Sequence, residues 1–197
     1  MKMFKNIKMR GFMRDDQASL SVEAVLVLPL LLWAFIAMFT FFDVYRSRNL
    51  AVKGNYAVAD LLSRETNPID MDYLHGIEDI YTYLTQGGDS AWIRVTEVKC
   101  RRRCSNPATR QLRKTWSHTT DGVYQLRNAD VDGDYRDVIP MIPRGERVIM
   151  VETHMHYDPP FNTIFSGINH RDMDDITMTR PRFGPQLCWV GRRCGNT

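Results

Sequence analysis

The chain has 197 residues, of which 25% are charged and 11% aromatic, and its formal net charge at pH 7 is +3. This composition is typical of a folded domain and not of a disordered chain. The charge is too small and too evenly mixed for nucleic-acid binding. No P-loop, nucleotide fingerprint or Ser/His/Asp signature is present, so we expect no enzyme, no cofactor and no small-molecule substrate.

One segment near the N-terminus departs from this average. Residues 24–42, nineteen in all, carry no charge and lie between Glu23 and Asp43. As a helix they would be about 28 Å long, close to the ~30 Å apolar thickness of a bilayer. A transmembrane helix is therefore predicted at 19–42, after a basic leader at 1–18. A cleaved signal peptide is the alternative, but this apolar block is longer than the usual ~7–15 residues.

Basic residues around the apolar segment predict its orientation. Five precede it, and three follow it within a dozen residues: Arg46, Arg48 and Lys53. Lys and Arg are enriched on the cytoplasmic side of membrane helices, so the N-terminus is predicted to be cytoplasmic. We therefore expect a single-pass inner-membrane protein whose C-terminal domain lies outside the cytoplasm.

The rest of the chain predicts helices followed by strands. Residues 43–66 continue the helical pattern as the exported half of the anchor helix, which Asn67-Pro68 should end. A second helix is predicted at about 70–85. Five apolar residues of the exported half share a helical face and predict packing on a head domain: Leu50, Ala57, Val58, Leu61 and Leu62.

Extended segments are predicted at 91–99, 112–118, 147–157 and 175–183, the last cut short by Pro181. The third of these alternates, with one polar face formed by Glu152, His154 and His156 and an apolar face formed by Ile149, Val151, Met155 and Tyr157. Such alternation predicts a half-buried strand. The expected fold class is α+β, in which a small antiparallel sheet within a head domain at 67–197 packs against the anchor helix.

Glu23 marks the start of the apolar segment. It is either a simple interfacial charge, which costs little, or a functional carboxylate. A basic leader, the small residue Ala18, four residues, Glu23 and an apolar helix together resemble the processing region of type IV pilin-like precursors. The resemblance implies cleavage between Ala18 and Ser19 by a prepilin peptidase, although such sites usually have glycine where Ala18 stands.

Within that superfamily, SVEAVLVLPLLLW with its early Pro29 is similar to the TadE-like pseudopilins of tight-adherence (Flp-type) pili. The late segments VIMVETHMHYDPPF and ITMTRPRF resemble the end of that family more loosely. The resemblance implies a pilin-like fold and a role in pilus assembly. It also implies that the partners are other pilins or pseudopilins and the assembly platform in the inner membrane.

The resemblance gives Glu23 and Pro29 specific roles. In an apolar bundle of pilin helices, Glu23 of one subunit would pair with the new α-amino group of Ser19 in a neighbour and so set the axial stagger. Pro29 removes a backbone hydrogen bond and permits a local bend. The alternative function is a membrane-tethered periplasmic binding or metal-binding domain outside any filament.

Four cysteines follow the apolar segment: Cys100, Cys104, Cys188 and Cys194. An even number in an oxidising compartment favours disulfides, and three pairings are open. A four-cysteine zinc site is the alternative, but C-x3-C and C-x5-C are not the usual C-x2-C spacing.

Two further patterns could bind metals. Two histidines and a carboxylate, as in Glu152, His154 and His156, form a metal-ligand set, but a solvent-facing polar edge explains them equally well. Residues 128–137, including Asp130 and Asp134, partly resemble a calcium loop, yet Ile139 stands where such a loop has its last Glu. We interpret that run as an acidic turn and predict no metal site.

Overall fold

The computed structural model describes residues 16–161, 163–192 and 194. The chain forms two compact units. One comprises the chain up to Asp43 together with Pro159–Asn169, and the other comprises Val44–Asp158 together with the chain from His170 onward. Of the predicted leader at 1–18, residues 1–15 lie outside the described part of the chain.

Helix α1 spans Asp16–Arg64, 49 residues that include Pro29. It confirms the predicted long N-terminal helix and ends three residues before Asn67. The Glu65 carboxylate then accepts the N–H groups of Thr66 and Asn67. A side chain therefore turns the backbone away from the helix just before Pro68.

The second half of α1 packs through one narrow face. Its fully buried residues are small or medium in size: Ala51, Val58, Leu62 and Ser63. Leu61, predicted on this face, is exposed instead. At Gly54 an added Cβ would stand 3.0 Å from the Tyr81 ring, so the absence of a side chain permits close approach of the next helix. The prediction of a packed face was correct, but its centre lies closer to Ala51 and Val58.

Helix α2 spans Met71–Thr85, close to the predicted 70–85. Asp70 is its N-cap, and its carboxylate accepts the N–H of Tyr73 at 2.9 Å. The helix ends at Gln86, which has a φ of 57° and donates its N–H to the Thr82 carbonyl. The left-handed residue that ends the helix is thus Gln86, and Gly88, with a φ of 64°, is a second left-handed residue two positions further on.

Four antiparallel strands form one sheet in the order β2-β1-β3-β4. Their bounds are Trp92–Arg102 for β1, Gln111–Thr119 for β2, Arg147–Tyr157 for β3 and Arg171–Thr179 for β4. The predicted α+β class is confirmed. The last strand begins four residues earlier than predicted and stops before Pro181.

Both faces of this sheet are covered, which the sequence did not predict. One face packs on α1 and α2 through a core that includes Leu62, Leu74, Tyr81, Ile93, Trp116 and Val151. The other is covered by residues 120–146, which contain the short helix α3 (Asn128–Asp132). Four residues of that covering segment are buried against the sheet: Leu126, Val131, Ile139 and Ile142.

The predicted solvent exposure of Glu152 is therefore wrong. Glu152 is only 4% exposed and lies beneath residues 120–146, the covering segment. Arg94, its cross-strand partner, donates to both carboxylate oxygens at 2.6 and 2.7 Å. The Tyr135 hydroxyl donates to the same carboxylate at 2.7 Å, and Arg94 also bonds the Tyr124 carbonyl at 2.9 Å. The buried charges are thus paired and hydrogen-bonded, as burial requires.

The C-terminal segment returns to the helices. The Arg182 N–H donates to the Ser63 carbonyl at 2.7 Å, and the Arg182 guanidinium pairs with Asp60 at 3.0 Å. Further on, Ile69 and Trp189 form a parallel bridge. Leu187 accepts the indole N–H of Trp116 at 3.0 Å. The segment 182–189 therefore packs on the elements α1 and β2.

We predict that removal of one partner of the buried ion pair is costly, because the other charge stays buried without its partner. Glu152→Ala should lower the free energy of unfolding by about 3–5 kcal/mol. Denaturant unfolding of the detergent-solubilised full chain, followed by tryptophan fluorescence, measures this loss.

The matched control is Glu146→Ala, which removes an exposed carboxylate that lies 2.6 Å from Arg180. An exposed pair contributes less than about 1 kcal/mol. Equal losses for the two variants would contradict the importance of the buried pair.

Candidate functional site

The first candidate surface is the apolar half of α1. Among the described residues, one helix is long and apolar enough to cross a membrane, with an 18-residue window of mean hydropathy 2.5. Only 6% of that window is buried within the protein. Every residue from 21 to 35 is exposed, including Val25, Leu26, Leu30 and Phe35. A helix that is apolar on all sides requires an apolar environment.

The predicted processing and assembly residues lie at one end of this helix. Glu23 is exposed, and the backbone of Ala18 and Ser19 is already helical. Pro29 lies in the helix interior, where it lacks the N–H that would bond the carbonyl of Val25. The structure therefore places the Glu23 carboxylate and Pro29 six residues apart in the N-terminal part of one continuous helix.

A short segment accompanies the apolar helix in the same compact unit. It is the connection from β3 to β4, residues 159–169, and it contains the one-turn helix α4 (Thr163–Ser166). The Phe161 ring meets the Phe39 ring edge to face, with centroids 5.9 Å apart. Thr40, the neighbour of Phe39, is fully buried. Sequence reasoning missed this contact.

The cysteines form two local pairs. Cys100 bonds Cys104 and Cys188 bonds Cys194, with Cα–Cα distances of 5.8 and 5.7 Å. Of the three pairings open to the sequence, this is the one between near neighbours. All four thiols are consumed, so a four-cysteine zinc site is not formed. The apolar helix and the two disulfides indicate a membrane-anchored domain in an oxidising compartment.

The Glu/His/His set considered as a metal site is not brought together. Glu152 is bound to Arg94, and His154 stacks on the Trp92 ring and bonds Asp174 at 2.7 Å. A different set converges at the end of the β3–β4 hairpin. One ligand atom from each of His156, Asp158 and His170 lies within 4.8 Å of the others.

In this cluster the Asp158 carboxylate lies between two imidazoles. Its Oδ1 is 2.5 Å from His170 Nδ1 and 3.5 Å from His156 Nε2. His156 donates from Nδ1 to Asp172 Oδ1 at 2.7 Å, because an ionised carboxylate can only accept. That hydrogen bond raises the pKa of His156 and lowers the pKa of Asp172. The spacing of residues in the sequence could not reveal the cluster, because His170 directly precedes β4 and comes near His156 only when the hairpin forms.

The 128–137 run serves local structure. Asn128 accepts the N–H of Lys114, Asp130 accepts that of Arg127, and Asp132 accepts that of Leu112 at 2.8 Å. Their oxygen atoms cap α3 and fasten it to β2. The run, interpreted above as an acidic turn, thus forms the short helix α3 and the turn that follows it.

A cationic cavity lies beside the first disulfide. It has a volume of about 990 Å³, and Met141, Ile142 and Pro143 form part of its wall. Four arginines also line it: Arg101, Arg102, Arg103 and Arg144. Arg103 has a φ of 54°, which places it in the left-handed region. The cavity is open and positively charged, so it suits an anion better than a cation.

His118 is a half-buried histidine outside these surfaces. Its ring stacks on Trp189 with centroids 3.6 Å apart, and its Nε2 makes no hydrogen bond to any described residue. Burial lowers the pKa of His118, and the charges of Arg192 and Lys114 act in the same direction. The folded protein therefore favours the neutral ring.

No family model, curated protein or solved structure matches this chain. The functional argument accordingly depends on the residues and geometry described above.

We predict that His118 destabilises the fold in acid. A lowered pKa means that the unfolded state takes up the proton more readily, so stability falls as the pH drops from about 6.5 towards the lowered value. His118→Phe keeps an aromatic ring against Trp189 but removes this titration. In denaturant unfolding at several pH values, the free energy of unfolding of the variant relative to the wild type should rise below about pH 6.5. A difference in stability that does not change with pH would refute the effect.

Proposed function

We propose that the chain is a minor pilin or pseudopilin of the TadE-like kind, which takes part in assembly of a tight-adherence (Flp-type) pilus from the inner membrane. In this proposal the apolar half of α1 spans the membrane with the N-terminus in the cytoplasm, and the sheet domain is periplasmic. Helix packing and head contacts with other pilins and with the assembly platform perform the work, without catalysis.

The observation that carries the proposal is the two-part character of α1. One uninterrupted helix, Asp16–Arg64, is exposed and apolar over its first half and part of a folded core over its second. A simple membrane tether needs no continuation of its helix into the core. In a pilin-like subunit the first half would pack beside sister helices, while the second half belongs to the head domain.

Glu23 supplies specificity to such packing. It is the acidic residue at the start of a segment with no further charge up to Asp43. A carboxylate in an apolar bundle needs a cationic partner, and cleavage before Ser19 would create one in a neighbouring subunit. A helix out of register would leave both charges buried and unpaired.

A tethered binding domain is the second candidate function. The arginine-lined cavity and the His156/Asp158/His170 cluster favour it, because neither has a role in helix packing. It requires the same membrane anchor but no cleavage at Ser19 and no partner for Glu23.

We predict that Glu23→Ala enters the membrane normally but abolishes piliation. The substitution removes a charge and leaves the apolar segment intact, so insertion should not suffer, whereas the partner amino group would lose its counter-ion. The variant replaces the natural copy in the source cell, where carbonate extraction measures insertion and electron microscopy measures pili.

Ser21→Ala, two residues away on the same helix, is the matched control and should leave piliation unchanged. Mass spectrometry of the wild-type chain should find Ser19 at the mature N-terminus. Normal piliation with Glu23→Ala would rule out the assembly role of this carboxylate. An intact leader together with normal piliation would favour an unprocessed subunit.

A further inference from the structure

We propose that His156, Asp158 and His170 form a divalent-metal site of the zinc class, with Asp172 as the residue that orients His156. This inference is independent of the pilus assignment, because it concerns only the hairpin end of the sheet domain. It also differs from the Glu152/His154/His156 set that the sequence suggested.

The donor set fits such a metal. Two imidazole nitrogens and one carboxylate oxygen are the ligands that zinc takes at sites with an open fourth position. In the structure the three ligand atoms lie within 4.8 Å of one another. Tetrahedral zinc with bonds of about 2.0–2.2 Å needs ligand atoms about 3.3 Å apart, which side-chain rotation can supply.

The arrangement around His156 is that of a metal ligand. Its Nδ1–H is held by Asp172 at 2.7 Å, so the Nε2 lone pair faces Asp158 and His170. A carboxylate on the far nitrogen fixes the tautomer and the ring orientation of metal-bound histidines in general. The His156 and His170 rings are also nearly parallel, at 12° with centroids 5.9 Å apart.

The sheet supports these positions. His156 and Asp172 are cross-strand partners in β3 and β4, one residue pair before the hairpin leaves the sheet. Asp158 and His170 are the next residues beyond Tyr157 and Arg171, which are paired. A metal there would join the two chain ends from which the 159–169 segment emerges.

The test is zinc titration of the detergent-solubilised full chain, with an affinity tag that contains no histidine, by calorimetry. We expect one zinc per chain. His156→Ala or His170→Ala should weaken binding at least tenfold, and Asp172→Asn about 10- to 100-fold, as loss of an orienting carboxylate does. His154→Ala is the matched control, since His154 lies on the same strand and bonds Asp174 in the same way, yet is outside the cluster.

A second measurement does not depend on variants. The chain has five histidines, and in the NMR spectrum zinc should move the ring signals of two of them. Absence of saturable zinc binding by the wild type would overturn the proposal. Equal affinity for the wild type, His156→Ala and His170→Ala would also overturn it.

A different observation carries a second proposal. We infer that residues 159–169 enter the outer interface of the bilayer beside the apolar helix; this rests on the membrane insertion in the proposed function. Phe161 packs on Phe39, which lies near the C-terminal end of the uncharged segment 24–42. Whatever depth Phe39 has in the membrane, Phe161 shares it.

The composition of the segment suits an apolar environment. It has no charged residue between Asp158 and His170. Phe165 is 57% exposed and Ile164 is 83% exposed, on the short helix α4 that follows Phe161. Aromatic and aliphatic side chains exposed beside a membrane span gain about 25 cal/mol for each Å² that lipid covers.

The test uses one added cysteine, since the native four are bonded. Phe165→Cys carries a fluorescent label, and the full chain is reconstituted in vesicles with lipids that bear a quencher on the acyl chain. Strong quenching is expected. Arg144→Cys, in an exposed and charged turn, should be quenched weakly.

Phe35→Cys, within the apolar helix, separates the two hypotheses. Quenching at 35 without quenching at 165 would overturn the segment proposal and leave membrane insertion intact. Absence of quenching at 35 would refute insertion itself and, with it, the inference about the segment.

Discussion

The structure depends on one helix that meets two different surroundings in succession. Over 24–42 the apolar surface of α1 runs around all sides, and beyond Asp43 it narrows to the stripe of Ala51, Val58 and Leu62. The first pattern is suited to an apolar environment and the second to one face of a core. No break separates the two patterns, so one continuous helix carries both.

The sheet domain is stabilised through polar contacts as well as through its core. Arg94 and Glu152 bond beneath the covering segment, and Arg110 donates to the carbonyls of Pro140 and Ile139. These contacts hold residues 120–146 on the sheet, although that segment has only one short helix within the described residues. A segment so poor in regular structure keeps its position because its carbonyl groups have charged donors.

The sequence predicted the regular elements well and the tertiary contacts poorly. Periodicity located α2 and all four strands, because each has a local pattern of its own. It failed for Glu152, since alternation shows that one face differs from the other but not whether a distant segment covers the polar face. The same limit hid the partnership of His170 with His156 and of Phe161 with Phe39. The β3–β4 hairpin brings together the two histidines, which are 14 positions apart, and packing of the 159–169 segment on α1 brings together the two phenylalanines, which are 122 positions apart.

Asn55 gives the anchor a mechanical property. Asn55 lies in the second half of α1, and its amide donates to Thr153 on β3 at 2.8 Å and to the Asp175 carbonyl on β4 at 3.1 Å. Arg48, about two turns earlier in the helix, donates to the Asp175 carboxylate. A pull along the helix axis would load these bonds and the surrounding core in shear, many at once, and would not peel them apart singly. Tension on this half of α1 would thus pass to strands β3 and β4 through residues 48–55 of the helix.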